Sequence, residues 1–282
     1  MRFRGDAQLD TSQVSDRRGA GPLLAGGGGL VGVLFLVFQL LTGGGGEGGP
    51  TIPSLGPLDQ QSDLSKECVT GEDANQKDDC RIVAVVNSVQ AFWADTLPGY
   101  HEATTVFYSG QVQTGCGLGT SDVGPFYCSA DEKVYIDLGF YDELRTRFGA
   151  QGGPFAEAYV IGHEYGHHIE NIRGVLSRAG GEQTGPQSPG VRLELQADCL
   201  AGMWAKGAVD TGFIAELTEQ DVADGLDAAA SIGDDRIQEK VQGQVSPEKF
   251  THGSSEQRQK WFLNGYRTSD IKGCDTFGVA TV

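Results

Sequence analysis

The chain has 282 residues, 39% of them hydrophobic, which is enough for one large domain with tails. Its formal net charge is −17 at pH 7. An acidic balance of that size excludes nucleic acid and anionic lipid headgroups as electrostatic partners.

In chain order, residues 1–22 carry Arg2, Arg4, Arg17 and Arg18, and residues 23–41 carry no charge and end in an apolar run from Leu30 to Leu41. A helix of that length spans about 28 Å, close to a bilayer core. A transmembrane anchor is therefore expected at 23–41. A cleaved signal peptide is the alternative, but no A-x-A-like site follows. The arginines all precede the segment, which predicts a cytoplasmic N-terminal segment at 1–22 and an extracytoplasmic remainder in a single-pass protein of the cell membrane. Residues 42–66, rich in Gly, Pro, Ser and Asp, read as a flexible linker. The domain proper is expected at 67–282. All six cysteines lie in it, an even number that fits an oxidising compartment. Pairing neighbours first joins Cys68 to Cys80 and Cys116 to Cys128, leaving Cys199 for Cys274. Cys199 as a metal ligand is the alternative.

Lys77 to Leu97 has apolar residues at helical spacing, and Pro98-Gly99 ends it. Thr104 to Gln113 and Lys133 to Leu138 are rich in β-branched and aromatic residues and predict strands. A helix follows from Phe155 to Ile172, with Pro154 suited to its first turn and Gly174 to its end. Gly162 and Gly166 cost helix propensity there, which predicts another element packed closely against them. Further helices are expected from Glu194 to Lys206, Thr218 to Ser231 and Ser254 to Gly265, the last capped by a serine.

The helix at 155–172 contains His163-Glu-Tyr-Gly-His167, an H-E-x-x-H pattern. Positions i and i+4 share one helix face, about 6 Å apart, so His163 and His167 can reach one metal ion. Glu164 sits roughly 100° further round, where it reaches a water beside the metal and can act as general base. His168 points elsewhere and is expected to be structural or on the surface. A catalytic zinc takes three protein ligands. Glu194 is the candidate third, and Asp198, one turn on, is placed to accept the free N–H of a zinc histidine. His252 is a further catalytic candidate, as a donor to the oxyanion of the tetrahedral intermediate, with loop fixing as its alternative role.

H-E-x-x-H followed by E-x-x-x-D resembles a gluzincin. More specifically, the chain resembles the bacterial "putative neutral zinc metallopeptidase" family of membrane-anchored proteins. The matching stretches are Met1-Arg-Phe-Arg4, Val14-Ser-Asp-Arg-Arg-Gly19, Gly124-Pro-Phe-Tyr-Cys128 and Val134-Tyr-Ile-Asp-Leu138. Four more follow: Ala158 through His168, Arg192-Leu-Glu-Leu-Gln-Ala-Asp-Cys199, Gly233-Asp-Asp235 and Thr251-His-Gly-Ser254. The resemblance implies a zinc metallopeptidase with His163, His167 and Glu194 as ligands and Glu164 as base. It also implies an α+β zincin-like fold, mainly helical with a small sheet, preceded by the transmembrane helix. In zincin folds a strand placed like 133–138 forms the upper edge of the cleft; ordinary sheet core is the alternative. The expected partner is a peptide or protein substrate. Two other functions use the same residues: a non-catalytic, zinc-stabilised binding domain of the cell envelope, and a hydrolase of non-peptide amides.

Overall fold

The computed structural model describes residues 1–18, 63–181 and 183–282. Among them, seven helices of seven residues or more carry the architecture: α1 (Asp78–Thr96), α2 (Phe140–Thr146), α3 (Pro154–Ile172), α4 (Pro189–Gly207), α5 (Glu219–Ser231), α6 (Asp234–Gln242) and α7 (Ser255–Thr268). The strands are β1 (Arg2–Phe3), β2 (Val14–Asp16), β3 (Thr104–Tyr108), β4 (Gln111–Thr114), β5 (Gly117–Thr120), β6 (Phe126–Cys128), β7 (Lys133–Asp137) and β8 (Ile214–Glu216). The main sheet runs β2-β3-β7-β6, parallel except for the antiparallel edge strand β6. Two antiparallel pairs, β1-β8 and β4-β5, complete the strands.

The centre of the molecule is the α3–α4 pair. Pro154 opens α3, and Ser188 caps α4 by accepting a hydrogen bond from the Val191 amide, with Pro189 following. The two helices approach closely at the predicted glycines. A Cβ on Gly166 would lie 2.8 Å from the Ala197 backbone, and one on Gly162 would lie 2.9 Å from the Trp204 ring. On its far side α4 is covered by α7, whose N-terminus is a capping box between Ser254 and Gln257. Helices α1 and α5 and strands β6 and β7 also pack on α3, so it is buried along most of its length. All three cysteine pairs form as neighbour pairing predicts: Cys68–Cys80, Cys116–Cys128 and Cys199–Cys274. Cys199 is thereby removed as a metal ligand.

The structure corrects the topology expected for the N-terminus. Residues 1–18 are part of the folded domain. Phe3 and Val14 are buried in the common core. β1 pairs with β8 and β2 with β3. The Asn75 side chain bonds both backbone groups of Phe3, Asn87 does the same for Asp10, and the Met1 amine forms an ion pair with Asp221. The expected transmembrane helix at 23–41 lies outside the described residues. Among the described residues no helix is long and apolar enough to cross a membrane. A single crossing between residues 18 and 63 would also put strands of one sheet on opposite sides of the bilayer. The single-pass location, with a cytoplasmic N-terminus and an external domain, is therefore withdrawn, together with the fold description that placed a membrane helix before a zincin-like domain. What the structure contains is a mixed helix-and-sheet unit that includes its own N-terminal strands. Of the two roles open to 133–138, cleft edge and ordinary sheet core, the structure selects the second: β7 lies between β3 and β6, and β6 is the edge strand.

Candidate metal centre

The α3–α4 contact sets the site. Close approach at Gly166 brings Glu194, about one turn before Ala197, over the histidines of α3. His163 Nε2 lies 3.2 Å from Glu194 Oε2, and His167 Nε2 lies 3.6 Å from Glu194 Oε1. All three side chains are buried, and their ligand atoms lie within 4.8 Å of one another.

The other ring nitrogens are tied back. His163 Nδ1 is 2.9 Å from Asp198 Oδ1, and His167 Nδ1 is 2.8 Å from Glu170 Oε2. Each Nδ1 thus faces a carboxylate to which its N–H can donate, which leaves each Nε2, turned towards Glu194, as the ring nitrogen a metal would take. Asp198 is itself held. Arg258 donates from Nε to Oδ2 at 2.9 Å and from Nη2 to Oδ1 at 3.0 Å, and the Tyr159 hydroxyl donates to Oδ1.

Zinc fits this donor set. Two imidazole nitrogens and a carboxylate make up the three-protein-ligand set of a catalytic zinc site, and their ligand atoms lie within 4.8 Å of one another. The charges agree. Burial would lower the pKa of His163, but Asp198 and Glu194 raise it to about 10. Burial would raise that of Glu194, yet His252, His167 and His163 hold it well below the usual carboxylate range. Glu194 and Asp198, both held below the usual carboxylate range, face one buried permanent cation, Arg258, so a further positive charge is favoured here.

A sequence model of the family described as "putative neutral zinc metallopeptidase" matches residues 1–277. The chain belongs to this family. Among its relatives, proteins of Mycobacterium tuberculosis and Mycobacterium bovis, both named only as uncharacterized, are 52% identical over 225 residues, covering 77% of this chain and 76% of theirs. The uncharacterized protein YpfJ of Escherichia coli is 37% identical over 296 residues, covering 99% of each chain. No solved structure matches. The family's name implies zinc, and His163, His167 and Glu194 form a group among the described residues that could hold it.

The remaining predicted residues fall in two places. Glu164 and His252 line one cleft with the three candidate ligands. Glu164 is buried, and burial raises its pKa, against the opposing pull of His163 and His167. His252 is held by Asp234. The Oδ2 of Asp234 accepts the backbone N–H groups of Thr251, His252 and Gly253 at 2.6, 2.6 and 2.9 Å, and His252 Nδ1 is 3.4 Å from Oδ1. Burial would lower the pKa of His252, but Glu194 and Asp234 raise it. His168 is outside the cleft, fully buried between the Tyr127 hydroxyl and the His101 carbonyl. Tyr165 is structural, bonding Thr105 and the Ala103 carbonyl.

Sequence reasoning missed Glu170, Arg258, Tyr159 and Asp234. Glu170 was within reach, because it lies at i+3 from His167 on the same helix face. Tyr159 lies at i−4 from His163 by the same rule. Arg258 and Asp234 come from distant segments: Asp234 lies in the matching stretch Gly233-Asp-Asp235, which carries no hint of its role, and no local pattern announces Arg258.

Proposed function

We propose that this protein is a zinc-dependent peptidase. His163, His167 and Glu194 hold the metal, and Glu164 is the general base. The observation that carries the reading is that both histidines turn Nε2 towards Glu194 while both Nδ1 atoms are anchored to carboxylates. Two histidines placed for packing alone would not need opposed carboxylates on both ring nitrogens, whereas metal-ligating histidines recurrently have such partners.

Zinc bound there would polarise the scissile carbonyl and acidify a nearby water. Glu164 accepts the proton of the water that attacks the carbonyl carbon. Its buried setting makes it a stronger base than an exposed glutamate. It then passes that proton to the amine nitrogen as the C–N bond breaks. Asp198 and Glu170 keep the two imidazoles in one tautomer and one orientation. His252, its ring oriented by Asp234, donates a hydrogen bond to the oxyanion. The partner is a peptide or protein chain, and the acidic balance of the molecule disfavours nucleic acid.

Glu164→Gln preserves size and removes the base. Expected is near-stoichiometric zinc by elemental analysis, with peptide hydrolysis reduced by about 10²–10⁴-fold or more. Unchanged turnover would sink the assignment. Glu194→Ala should lose zinc, and full metal occupancy in that variant would remove it as a ligand.

A further inference from the structure

We propose that the cleft beside the metal centre is a pocket for a large apolar side chain, aromatic or branched aliphatic, next to the scissile bond. This rests on the peptidase reading above. The cleft is continuous with His163, Glu164, His167 and Glu194 and has a volume of about 380 Å³, within the range of small-ligand sites and suited to a short stretch of peptide.

The surface of its lining is predominantly apolar. Phe126, Phe140 and Phe148, Ile237 and Val241 of α6, and Val160, one turn before Glu164 on α3, all line it. The aromatic residues are held by their neighbours. Gly124, at φ +80°, packs under Phe140 so closely that a Cβ there would lie 3.2 Å from the ring. Phe126 stacks on Tyr135 with centroids 5.1 Å apart and planes 14° from parallel, and Phe140 and Phe148 stand 6.3 Å apart. A lining held this way is preformed and discriminates by shape.

Helix α6 supplies the second argument. Its sequence, Asp-Asp-Arg-Ile-Gln-Glu-Lys-Val-Gln, has only two apolar residues, four apart, and both line the cleft. Val241 is 63% exposed, so covering it with an apolar side chain is favourable. The charged residues of the lining away from the metal site, Asp122, Glu143, Arg147, Arg236 and Lys240, carry both signs. They select no particular charge on the substrate.

The test uses blocked peptides identical except for Phe, Leu, Ala or Asp beside the scissile bond, with two readouts. One is turnover by the zinc-loaded protein, and the other is binding of the same peptides to the Glu164→Gln variant. Expected is a preference for Phe and Leu over Ala of roughly tenfold or more in both. Ile237→Asp, on the cleft side of a surface helix, should abolish most of that preference, and Phe148→Ala should reduce it. Equal cleavage of all four peptides overturns the pocket and leaves the peptidase standing. Selective binding of the Phe and Leu peptides without cleavage supports the pocket and removes the hydrolase. Neither cleavage nor selective binding overturns both.

Discussion

The two histidines of the site are supported in different ways. His163 is backed by a fully buried network drawn from three helices: Asp198 from α4, Arg258 from α7 and Tyr159 from α3 itself. His167 is backed by one residue of its own helix, Glu170, whose Oε1 is buried with no hydrogen-bond partner among the described residues. Burial pushes Glu170 up to about 7 even against the pull of His167. One side of the metal site is thus a tertiary crosslink, and the other is a local i,i+3 contact. The first should matter to the whole fold, the second mainly to the metal.

The sharpest way to break this contrast is at Asp198. Removing it leaves Arg258 fully buried and uncompensated, so Asp198→Ala should cost about 3–5 kcal/mol of unfolding free energy. A denaturant titration of the metal-free protein measures this without interference from zinc. The double variant Asp198→Leu with Arg258→Met removes both charges and should recover much of the loss, since apolar replacements of a buried ion pair are often neutral. If Asp198→Ala unfolds at the same denaturant concentration as the parent, the network is no crosslink.

The Cys199–Cys274 bond tests the same side from further out. It joins α4, one residue beyond Asp198, to a segment 75 residues later. Cys274→Ser should cost about 2–4 kcal/mol by releasing that long loop in the unfolded state. Because Asp198 is also held by Arg258, zinc content at saturating metal should stay near that of the parent. Loss of zinc alongside stability would mean that the disulfide, and not the Arg258 network, aligns α4 over the histidines.

The same division explains what could be read from the sequence. His163, His167 and the Glu194–Asp198 pair were legible because helical periodicity puts i and i+4 on one face. The close packing at Gly162 and Gly166 was legible because glycine inside a helix needs a compensating contact. The two short-range cysteine pairs followed from their spacing. Arg258 was not legible: within Gln257-Arg-Gln-Lys260 it looks like any solvated helix residue, and only the fold carries it to Asp198. Strands β1 and β2 were equally hidden. Two or three residues are too few to show alternation, and their partners near 214 and 105 lie far along the chain. Those N-terminal contacts are what overturned a topology argued from arginines and hydropathy alone. Helix α6 was missed because its composition is almost wholly polar, with its two apolar residues turned towards the cleft.

The smallest expected effect is also the most discriminating. Glu170→Gln keeps a hydrogen-bond acceptor within reach of His167 Nδ1 and removes a carboxylate that burial already disfavours as an ion. Stability should change by no more than about 1 kcal/mol, the scale of one hydrogen bond. Zinc affinity should nevertheless fall roughly 10–100-fold, because a neutral acceptor leaves the imidazole a poorer donor to the metal and aims it less firmly. Competition against a chelator of known affinity reads this directly, and the unfolding curve of the same sample reads the other half. If Glu170→Gln destabilises the metal-free protein as much as Asp198→Ala, the two supports are equivalent and the contrast fails. If stability holds while zinc weakens, Glu170 serves the metal, and its buried Oε1 is a local cost borne by a fold that the Asp198–Arg258 network already secures.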